Sequence, residues 1–393
     1  MPIYKNEKNK SWIPVITLAI AAFIFNTTEF LPVGLLTDIA TSFNIEVAYT
    51  GQILTVYAWA VTLFALPFAM LFSRFERRNL LIYVFLIFII SHVFTAFSWS
   101  FNSLLFSRLG VAASHAVFWA ITIPIAVRLA PAGQSAKALS LVVTGSSLAM
   151  VLGVPIGTII GQHFGWRFSF GLIALLATLT LLLLVSILPR LPSYLSGSLS
   201  TLPSLLMRPT LIYVYITLAL VISAYFTTYT FISPFLQQVG KISSFWIVIN
   251  LFIIGISGIV GGVLFAKKSK NHPIALFILP MLMLLLCALA LHLASFYIFS
   301  TLVISLLWGI SITLLGMILQ NKVLEIASDA PDIAMAMFSA VYNIGIGSGA
   351  LLGGQIILNF GLLYLGYLSS IFILFALFLY FFIGRKLWNT PLY

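Results

Sequence analysis

Glu29 lies well inside an apolar segment that runs from about residue 12 to residue 36. A carboxylate in the hydrocarbon core of a bilayer costs at least ~2.5–3.5 kcal/mol, so it usually faces a partner or a polar cavity. The low dielectric favours the neutral acid, and such a group can bind and release a proton near neutral pH. We interpret Glu29 as a proton-coupling or substrate-contacting residue. The alternatives are a carboxylate at the lipid–water boundary and one side of a fixed ion pair.

Arg108 lies early in the fourth apolar segment, at a depth similar to that of Glu29. An arginine does not lose its proton in a protein, so it must be hydrated or paired. Glu29 is the nearest acid that the sequence offers. Arg108 is therefore predicted to tune Glu29 or to anchor a substrate oxygen, with a permanent structural ion pair as the alternative.

His115 follows Arg108 by seven residues, so the two share one face of a helix, which Trp119 and Thr122 continue. A charged, a titratable, an aromatic and a hydroxyl side chain on one face suit a polar cavity better than lipid. Histidine titrates near neutral pH, and aromatic rings stack on the apolar faces of sugars. We predict that His115 contributes to proton coupling and, with Trp119, to substrate binding. The alternative is a neutral histidine bonded to a neighbouring helix, which is our interpretation of His92.

Further polar and aromatic residues recur at helical spacing inside apolar segments. Each could contact the substrate or could instead join two helices by a hydrogen bond of ~0.6 kcal/mol. The additional candidates for substrate binding are Asn26, Tyr225, Tyr229, Trp308 with Ser311, Ser339 and Asn343.

The composition places these residues in a membrane protein. Of 393 residues, 62% are hydrophobic and 7% are charged, against about 25% charged in a soluble domain. This excludes a soluble enzyme, a disordered chain and a disulfide scaffold. The net charge of +11 is not a nucleic-acid signal, because the cations lie in short gaps between apolar runs. The single cysteine, Cys287, excludes an intrachain disulfide.

Twelve apolar runs predict an all-α membrane protein with twelve transmembrane helices in two six-helix halves. The halves are predicted at 1–188 and 210–393, joined by a cytoplasmic linker at 189–209 that is rich in proline and serine. Two short sequence matches recur at offsets near 195 residues and favour a duplication. The runs are 12–36, 48–72, 79–98, 101–127, 136–162, 168–188, 210–232, 243–265, 273–294, 296–318, 333–358 and 361–383.

The distribution of cations predicts the orientation in the membrane. With a cytoplasmic N-terminus, sixteen of the nineteen Lys and Arg residues fall in inside segments and two, Arg167 and Lys241, in outside segments. The first outside loop is expected to hold Asp38 and Glu46 instead. This asymmetry predicts that both termini are cytoplasmic.

The twelve-helix pattern, with the basic loop Arg74-Phe-Glu-Arg-Arg78 after the second run, resembles the major facilitator superfamily. Arg108 resembles a membrane arginine of that family, and Gly153-Val-Pro-Ile-Gly157 resembles the glycine-proline motif of its proton-coupled exporters. The segments 22–36 and 341–349 are similar to those of bacterial sugar efflux transporters of the SotB type. The resemblance implies that Arg74, Arg77, Arg78, Gly153, Pro155 and Gly157 are gating or structural residues.

One part of the superfamily's loop motif is absent from this sequence. The motif has Gly and Asp where this chain has Ala69 and Ser73, and a second Gly where it has Glu76. The gating contacts that the aspartate makes in relatives therefore do not transfer. Pro155 is expected to bend its helix, because proline cannot donate a backbone hydrogen bond.

These observations predict a transporter that exports sugars or sugar-like small molecules across the bacterial inner membrane by proton antiport and alternating access. Sugar as the substrate follows from the resemblance alone. A multidrug:proton antiporter and an uptake symporter remain alternatives. No nucleophile–base set, metal-ligand pair or nucleotide loop is present, so we expect no enzyme, no cofactor and no bound metal. The expected partners are protons, the substrate and membrane lipids, not nucleic acid, and we expect a monomer.

Overall fold

The structure is a computed structural model that describes residues 12–72, 74–131, 133–192, 202–268 and 273–388. The described residues form helices and contain no β-strand. In chain order the helices are α1 (Ile13–Phe43), α2 (Val47–Thr50), α3 (Gln52–Leu71), α4 (Arg77–Ala96), α5 (Phe101–Leu129), α6 (Ser135–Leu148), α7 (Val154–Phe164), α8 (Trp166–Ile187), α9 (Leu202–Leu206), α10 (Pro209–Tyr229), α11 (Ile232–Gln238), α12 (Ser244–Lys268), α13 (Pro273–Ala294), α14 (Ile298–Ile326), α15 (Pro331–Phe360), α16 (Leu365–Leu379) and α17 (Arg385–Trp388).

Twelve stretches of the described helices are long and apolar enough to cross a bilayer, which confirms the predicted number of membrane spans. Some spans combine two helices, such as α2 with α3 and α10 with α11. The stretches are Ile13–Phe43, Val47–Ala65, Arg77–Ala96, Phe101–Leu129, Lys137–Phe164, Trp166–Ile187, Pro209–Gln238, Ser244–Lys268, Ile274–Ala294, Ile298–Ile326, Ile333–Phe360 and Leu362–Leu387.

The first span is longer than predicted. Asp38, which was expected in a loop, lies inside α1, because the helix continues to Phe43. Thr41 supports this extension by donating its hydroxyl to the carbonyl oxygen of Thr37, at 2.9 Å. The helix ends at Asn44, whose φ of 53° is the left-handed conformation that commonly terminates helices.

The fifth span is irregular in front of Pro155, where a bend was expected. Residues Ala149–Gly153 form a π-helical turn between α6 and α7. The amide of Val154 donates to the carbonyl of Ala149, five residues earlier. A wide turn of this kind is a known cause of helix bending, and proline favours it by withholding one backbone donor.

Glu76 begins α4 by capping it. Its carboxylate accepts the backbone N–H groups of Arg78 at 3.0 Å and Asn79 at 2.8 Å. It also accepts the backbone N–H of Leu191, which follows α8, while the amide of Arg77 donates to the carbonyl of Leu191 at 2.9 Å. Glu76, which stands where the superfamily motif has a glycine, therefore connects the loop before α4 to the residues after α8 by hydrogen bonds.

The arginines around Glu76 bind backbone carbonyls of the same region. Arg77 donates to Phe72 at 3.4 Å and Arg78 to Val185 at 2.8 Å. Arg128 donates to the carbonyl of Pro192, also at 2.8 Å. Arg74 is exposed.

The chain folds into two compact units. The first comprises the described residues of Met1–Leu31 and Leu63–Leu195, and the second those of Pro32–Thr62 and Ser196–Tyr393. The C-terminal part of α1, together with α2 and most of α3, thus belongs to the second unit. There Thr55 donates to the carbonyl of Gly347 at 3.0 Å and Thr62 to that of Ala340 at 3.1 Å. The predicted boundary of two six-helix halves at the linker stays a prediction.

Glycines of α15 allow it to approach α10 closely in the second unit. A Cβ added at Gly349 would lie 2.5 Å from the carbonyl oxygen of Ser223, and one at Gly353 would lie 2.7 Å from that of Thr227. Such distances leave no room for a side chain. This is the close helix packing expected of a glycine-rich membrane span.

The contacts of Glu76 generate a prediction about stability. Partial burial alone would raise the pKa of Glu76, but the backbone N–H donors of Asn79, Leu191 and Arg78, with the charge of Arg78, hold it below its usual value of 4.5. A lowered pKa means that the folded state prefers the carboxylate. Its stabilising contribution is therefore present above pH 4.5 and is lost as the pH falls through the lowered value.

We expect Glu76→Ala to lower the free energy of unfolding at pH 7 by about 0.5–2 kcal/mol, the usual cost of losing a helix cap. The thermal midpoint of purified protein, measured from pH 7 down to pH 3.5, should show the deficit shrinking in acid. Glu46→Ala is the matched control, because Glu46 precedes α2 without a side-chain cap bond. An equal effect of both substitutions, or a deficit independent of pH, would contradict this role.

Candidate functional site

The structure brings Glu29 of α1 and His115 of α5 together in the first unit. The distance from the Oε2 atom of Glu29 to the Nε2 atom of His115 is 3.6 Å. Only 8% of Glu29 and 6% of His115 are exposed. At this distance the two side chains form an ion pair when Glu29 is ionised and the imidazole of His115 is protonated. When the proton is on the carboxyl group instead, both side chains are neutral.

Arg108 of α5 is fully buried beside the same pair. Its guanidinium donates to the carbonyl oxygen of Thr28 at 3.1 Å and to the hydroxyl of Thr28 at 3.5 Å. Its charge acts on both Glu29 and His115. The backbone next to Glu29 thus provides part of the solvation that a permanently charged arginine requires in a membrane.

His92 of α4 joins this arrangement through Thr28. The hydroxyl of Thr28 is 2.6 Å from the Nε2 atom of His92, and the Nδ1 atom of His92 is 2.9 Å from the carbonyl oxygen of Phe88. A carbonyl only accepts, so Nδ1 carries the proton and Nε2 accepts from Thr28. His92 is therefore a hydrogen-bonded buried histidine, and its polar companion comes from α1 rather than from its own helix.

The face of α5 that begins at Arg108 continues as the spacing predicts. His115 and Trp119 have ring centroids 6.1 Å apart, and Trp119 is half-buried. Thr122 is fully buried, and its hydroxyl has no hydrogen-bond partner among the described residues. Phe25 of α1 packs against this helix by stacking on Phe118, with ring centroids 3.9 Å apart.

Asn26 lies on α1 but is engaged with α6. Its amide donates to the hydroxyl of Ser146 at 2.5 Å, which is the interhelical contact that the sequence left open as an alternative. The glycines of the motif in the fifth span also lie against α1. A Cβ at Gly153 would overlap the side chain of Thr27, and one at Gly157 would meet Leu31 at 2.7 Å.

Three predicted aromatic residues meet in the second unit, and we call them the aromatic cluster: Tyr225 and Tyr229 of α10 and Trp308 of α14. The ring centroid of Tyr225 lies 4.7 Å from that of Trp308 and 5.1 Å from that of Tyr229. All three are at least 95% buried. The indole N–H of Trp308 has no hydrogen-bond partner among the described residues.

The remaining residues that were predicted to bind substrate are Ser311, Ser339 and Asn343. Ser311 is fully buried and donates to the carbonyl of Leu307 on its own helix. Ser339 is exposed, and its carbonyl accepts the amide of Asn343 at 3.0 Å. The side-chain oxygen of Asn343 has no hydrogen-bond partner among the described residues. These contacts run along single helices.

Sequence reasoning also missed the buried polar residues Asn250 and Ser305. Asn250 of α12 is fully buried and neither atom of its amide group has a hydrogen-bond partner among the described residues. Ser305 of α14 is 1% exposed and its hydroxyl is likewise without a partner there. The signal available in the sequence was an isolated asparagine inside an apolar run, which is costly in a membrane.

The described residues contain no group of three or more His, Cys, Asp or Glu side chains that could hold a metal ion. The side chains of Glu29, His115 and the aromatic cluster are capable of proton transfer, hydrogen bonding and aromatic stacking.

Comparisons with known proteins identify the family. The family model described as the Major Facilitator Superfamily matches residues 18–331. A solved bacterial homolog of the human lysosomal transporter Spinster, in an inward-facing and unoccupied conformation, has a TM-score of 0.78 at 17% identity over 98% of this chain and 99% of its own. A solved D-xylose-proton symporter has a TM-score of 0.74 at 17% identity over 97% and 98% of the two chains.

The family match covers more than half of the sequence, and the similar structures share the fold over nearly the whole of both chains. Twelve apolar spans agree with both findings. The chain is therefore a multi-pass membrane protein that belongs to the major facilitator superfamily.

Proposed function

We propose that the protein exports sugars or sugar-like small molecules across the bacterial inner membrane in exchange for protons, by alternating access. The observation that carries this proposal is the buried pair of Glu29 and His115, 3.6 Å apart and next to the permanent charge of Arg108. It combines a titratable acid, a titratable base and a fixed cation within the apolar part of a membrane protein.

The proton is proposed to reside on the carboxyl group of Glu29 in one half of the cycle and to leave it in the other. An ionised Glu29 is stabilised by the charge of Arg108 and by a proton on His115, whereas a neutral Glu29 needs neither. Protonation therefore changes the charge balance around Thr28, to which Arg108 donates. A change of this kind can bias a protein between two conformations if the conformations bind the proton with different affinity.

The energy available is sufficient for export. One proton that crosses a membrane potential of ~100 mV supplies ~2.3 kcal/mol. At 1.36 kcal/mol per factor of ten, this supports a gradient of about fifty-fold for each proton exchanged, before any pH difference is added.

Sugar as the substrate is supported by the sequence resemblance to sugar efflux transporters and by the aromatic cluster. Aromatic rings bury the apolar face of a sugar while neighbouring polar groups bind its hydroxyls. The similar D-xylose-proton symporter pairs a sugar with a proton on this fold, according to its description. That similarity also favours an uptake symporter as the second candidate, since the same groups can couple a proton in either direction.

A multidrug:proton antiporter is the remaining alternative. The test for all three is counterflow of radiolabelled sugars and, in parallel, of a radiolabelled apolar drug in proteoliposomes with an imposed pH gradient. Efflux driven by inward proton movement supports the proposal, accumulation in the direction of the proton supports the symporter, and transport of apolar drugs without sugars supports the antiporter of drugs.

We expect Glu29→Gln to abolish the response of transport to a pH gradient while sugar-for-sugar exchange continues. Glutamine keeps the shape of the side chain but cannot bind or release the coupled proton. Gradient-driven efflux and exchange should be measured in the same proteoliposomes. Glu46→Gln, which changes an exposed carboxylate, is the control. Full gradient-driven efflux by Glu29→Gln would exclude this residue as the proton site.

Arg108→Ala should reduce proton-driven transport more than Arg108→Lys. Lysine retains a positive charge beside Glu29 and His115 and a donor for the carbonyl of Thr28, whereas alanine removes both. The measurement is the initial rate of gradient-driven efflux, normalised to the amount of inserted protein. Equal rates for the wild type and both variants would mean that the site needs no charge at this position.

His115→Ala should weaken sugar binding by about the worth of one neutral hydrogen bond, ~0.5–1.5 kcal/mol, or roughly two-fold to more than tenfold in affinity. Trp119→Ala should act in the same direction through lost stacking. Affinity measured from pH 5 to pH 8 would also report a shift if His115 carries part of the coupled proton. His163→Ala is the control, because His163 is exposed and its Nδ1 atom contacts only its own helix, at the carbonyl of Ile159. An effect of His163→Ala larger than that of His115→Ala would contradict this placement.

A further inference from the structure

The hydroxyl group of Thr28 is oriented differently from that of its neighbour Thr27. A threonine in a membrane helix commonly donates its hydroxyl to the carbonyl oxygen four residues earlier, and Thr27 does so with Phe23 at 2.7 Å. The hydroxyl of Thr28 lies 2.6 Å from the Nε2 atom of His92, on α4. A contact with another helix therefore sets the side-chain rotamer of Thr28.

The proton on the ring of His92 fixes the direction of this contact. The Nδ1 atom of His92 is 2.9 Å from the carbonyl oxygen of Phe88, which can only accept, so Nδ1 carries the proton. The Nε2 atom of the neutral ring is then an acceptor, and Thr28 donates its hydroxyl proton to it. The hydroxyl oxygen of Thr28 is left with lone pairs alone, so it can only accept from a further group.

Arg108 is the group that donates to Thr28. Its Nη1 atom lies 3.5 Å from the hydroxyl oxygen of Thr28, and its Nη2 atom lies 3.1 Å from the carbonyl oxygen of the same residue. Two acceptors on one residue define the orientation of a planar guanidinium group, provided that the hydroxyl keeps its rotamer. The donors thus point in one sense from Arg108 through Thr28 to His92, across α5, α1 and α4.

Phe170 of α8 lies against the same two side chains. Its ring centroid is 6.0 Å from the Cζ atom of Arg108 and 6.1 Å from the ring centroid of His92. The ring of His92 also packs on Phe88, with centroids 4.2 Å apart. Arg108 and His92 are both fully buried. Side chains in so closely packed an interior do not change position independently, so a change at His92 is transmitted to Arg108.

The position of Arg108 decides how strongly an ionised Glu29 is stabilised. Glu29 and His115 are the ionisable side chains on which the charge of Arg108 acts at this site, together with His92. The other cationic and histidine side chains of the described helices in the first unit lie near helix ends: Arg77 and Arg78 of α4, Arg128 of α5, Lys137 of α6, His163 of α7 and Arg167 of α8.

We propose that His92 is a positioning residue that acts through Thr28 to hold the guanidinium group of Arg108 beside Glu29, and that it does so as a neutral hydrogen-bond acceptor. The inference rests on the proposed proton coupling at Glu29 and adds how that site is tuned. His92 is not a proton carrier in this role. A second proton on its ring would turn the acceptor into a donor and place a cation beside Arg108.

Three substitutions separate the acceptor of His92 from its ring and from its ability to titrate. His92→Gln places an amide oxygen near the position of Nε2, where it accepts from Thr28 without titrating. His92→Phe keeps a ring of similar size and removes the acceptor. His92→Asn keeps an amide that is too short to reach Thr28. A positioning residue is replaced successfully by glutamine alone, whereas a proton carrier is lost in all three variants.

The measurement is the protonation of Glu29 in purified protein from pH 4 to pH 10. It is followed by the infrared C=O band of the carboxylic acid, which is identified by its absence in Glu29→Gln. We expect the midpoint to rise by roughly 0.5–1 pH unit in His92→Phe and His92→Asn, because ionised Glu29 loses part of the stabilisation by Arg108. The midpoint of His92→Gln should equal that of the wild type.

Substitutions of Thr28 test the same path and decide the matter if the variants of His92 do not fold. Thr28→Val removes the hydroxyl and keeps the shape, so the midpoint should rise as in His92→Phe, whereas Thr28→Ser should stay close to the wild type. Thr158→Val is the matched control, because Thr158 is fully buried and donates to Val154 on its own helix at 2.8 Å. In the double variant of His92→Phe with Thr28→Val, the shift should equal that of one substitution, not their sum.

The proposal is overturned if His92→Phe and Thr28→Val leave the midpoint unchanged, if His92→Gln shifts it as much as His92→Phe, or if the two shifts add in the double variant. A wild type without a titrating band of Glu29 also overturns it. Failure of the export function is distinguishable, because that function is measured by pH-driven efflux from proteoliposomes. The expected shifts without such efflux would refute export and leave the positioning role intact. Efflux with unchanged midpoints would refute the positioning role and leave export intact.

Discussion

The requirement to solvate a permanent charge inside an apolar bundle organises the first unit. Arg108 is fully buried and cannot become neutral, so the structure must supply acceptors and negative charge where the bilayer supplies none. Thr28 supplies a carbonyl and a hydroxyl, and Glu29 lies next to it in the chain. The hydroxyl of Thr28 is in turn held by His92 of α4. The solvation of one guanidinium group thus links α1, α4 and α5.

Aromatic side chains pack around this hydrogen-bond network. Phe25 of α1 stacks on Phe88 of α4 and on Phe118 of α5, with ring centroids 3.9 Å apart in each case. These rings exclude water and lower the local dielectric, which strengthens every interaction among the charged groups. The second unit follows a different rule. Around the aromatic cluster its buried polar groups are neutral hydroxyl, amide and indole groups, and its buried lysine, Lys322, is paired with Glu325 further along α14, at 3.1 Å.

Much of the fold was predictable from the sequence, because the period and length of apolar runs depend on the bilayer and not on tertiary contacts. The twelve spans and the helical face of Arg108, His115 and Trp119 were predicted on this basis. The proximity of Glu29 and His115 was not predicted, but it could have been. A buried carboxylate needs a partner, and the sequence offers few suitable side chains within the spans.

The partners supplied by other helices could not be predicted. Thr28 is an ordinary residue in sequence, and its role appears only when α4 and α5 pack on α1. Asn26 was a candidate for substrate contact, yet its amide donates to Ser146 of α6. Asn250 was overlooked because nothing near it in sequence is polar, and its significance arises from the missing partner. The end of α1 was placed too early because Asp38 was taken as a loop signal, although the helix continues beyond the apolar run.

The π-helical turn at Ala149–Gly153 sets the relative rotation of the two helices of the fifth span. The amide of Val154 bonds to a carbonyl five residues earlier rather than four, so the turn holds one residue more than an α-helical turn. One additional residue rotates all later side chains by about 100° around the helix axis. The direction in which Gly153 and Gly157 face α1 therefore depends on this single extra residue.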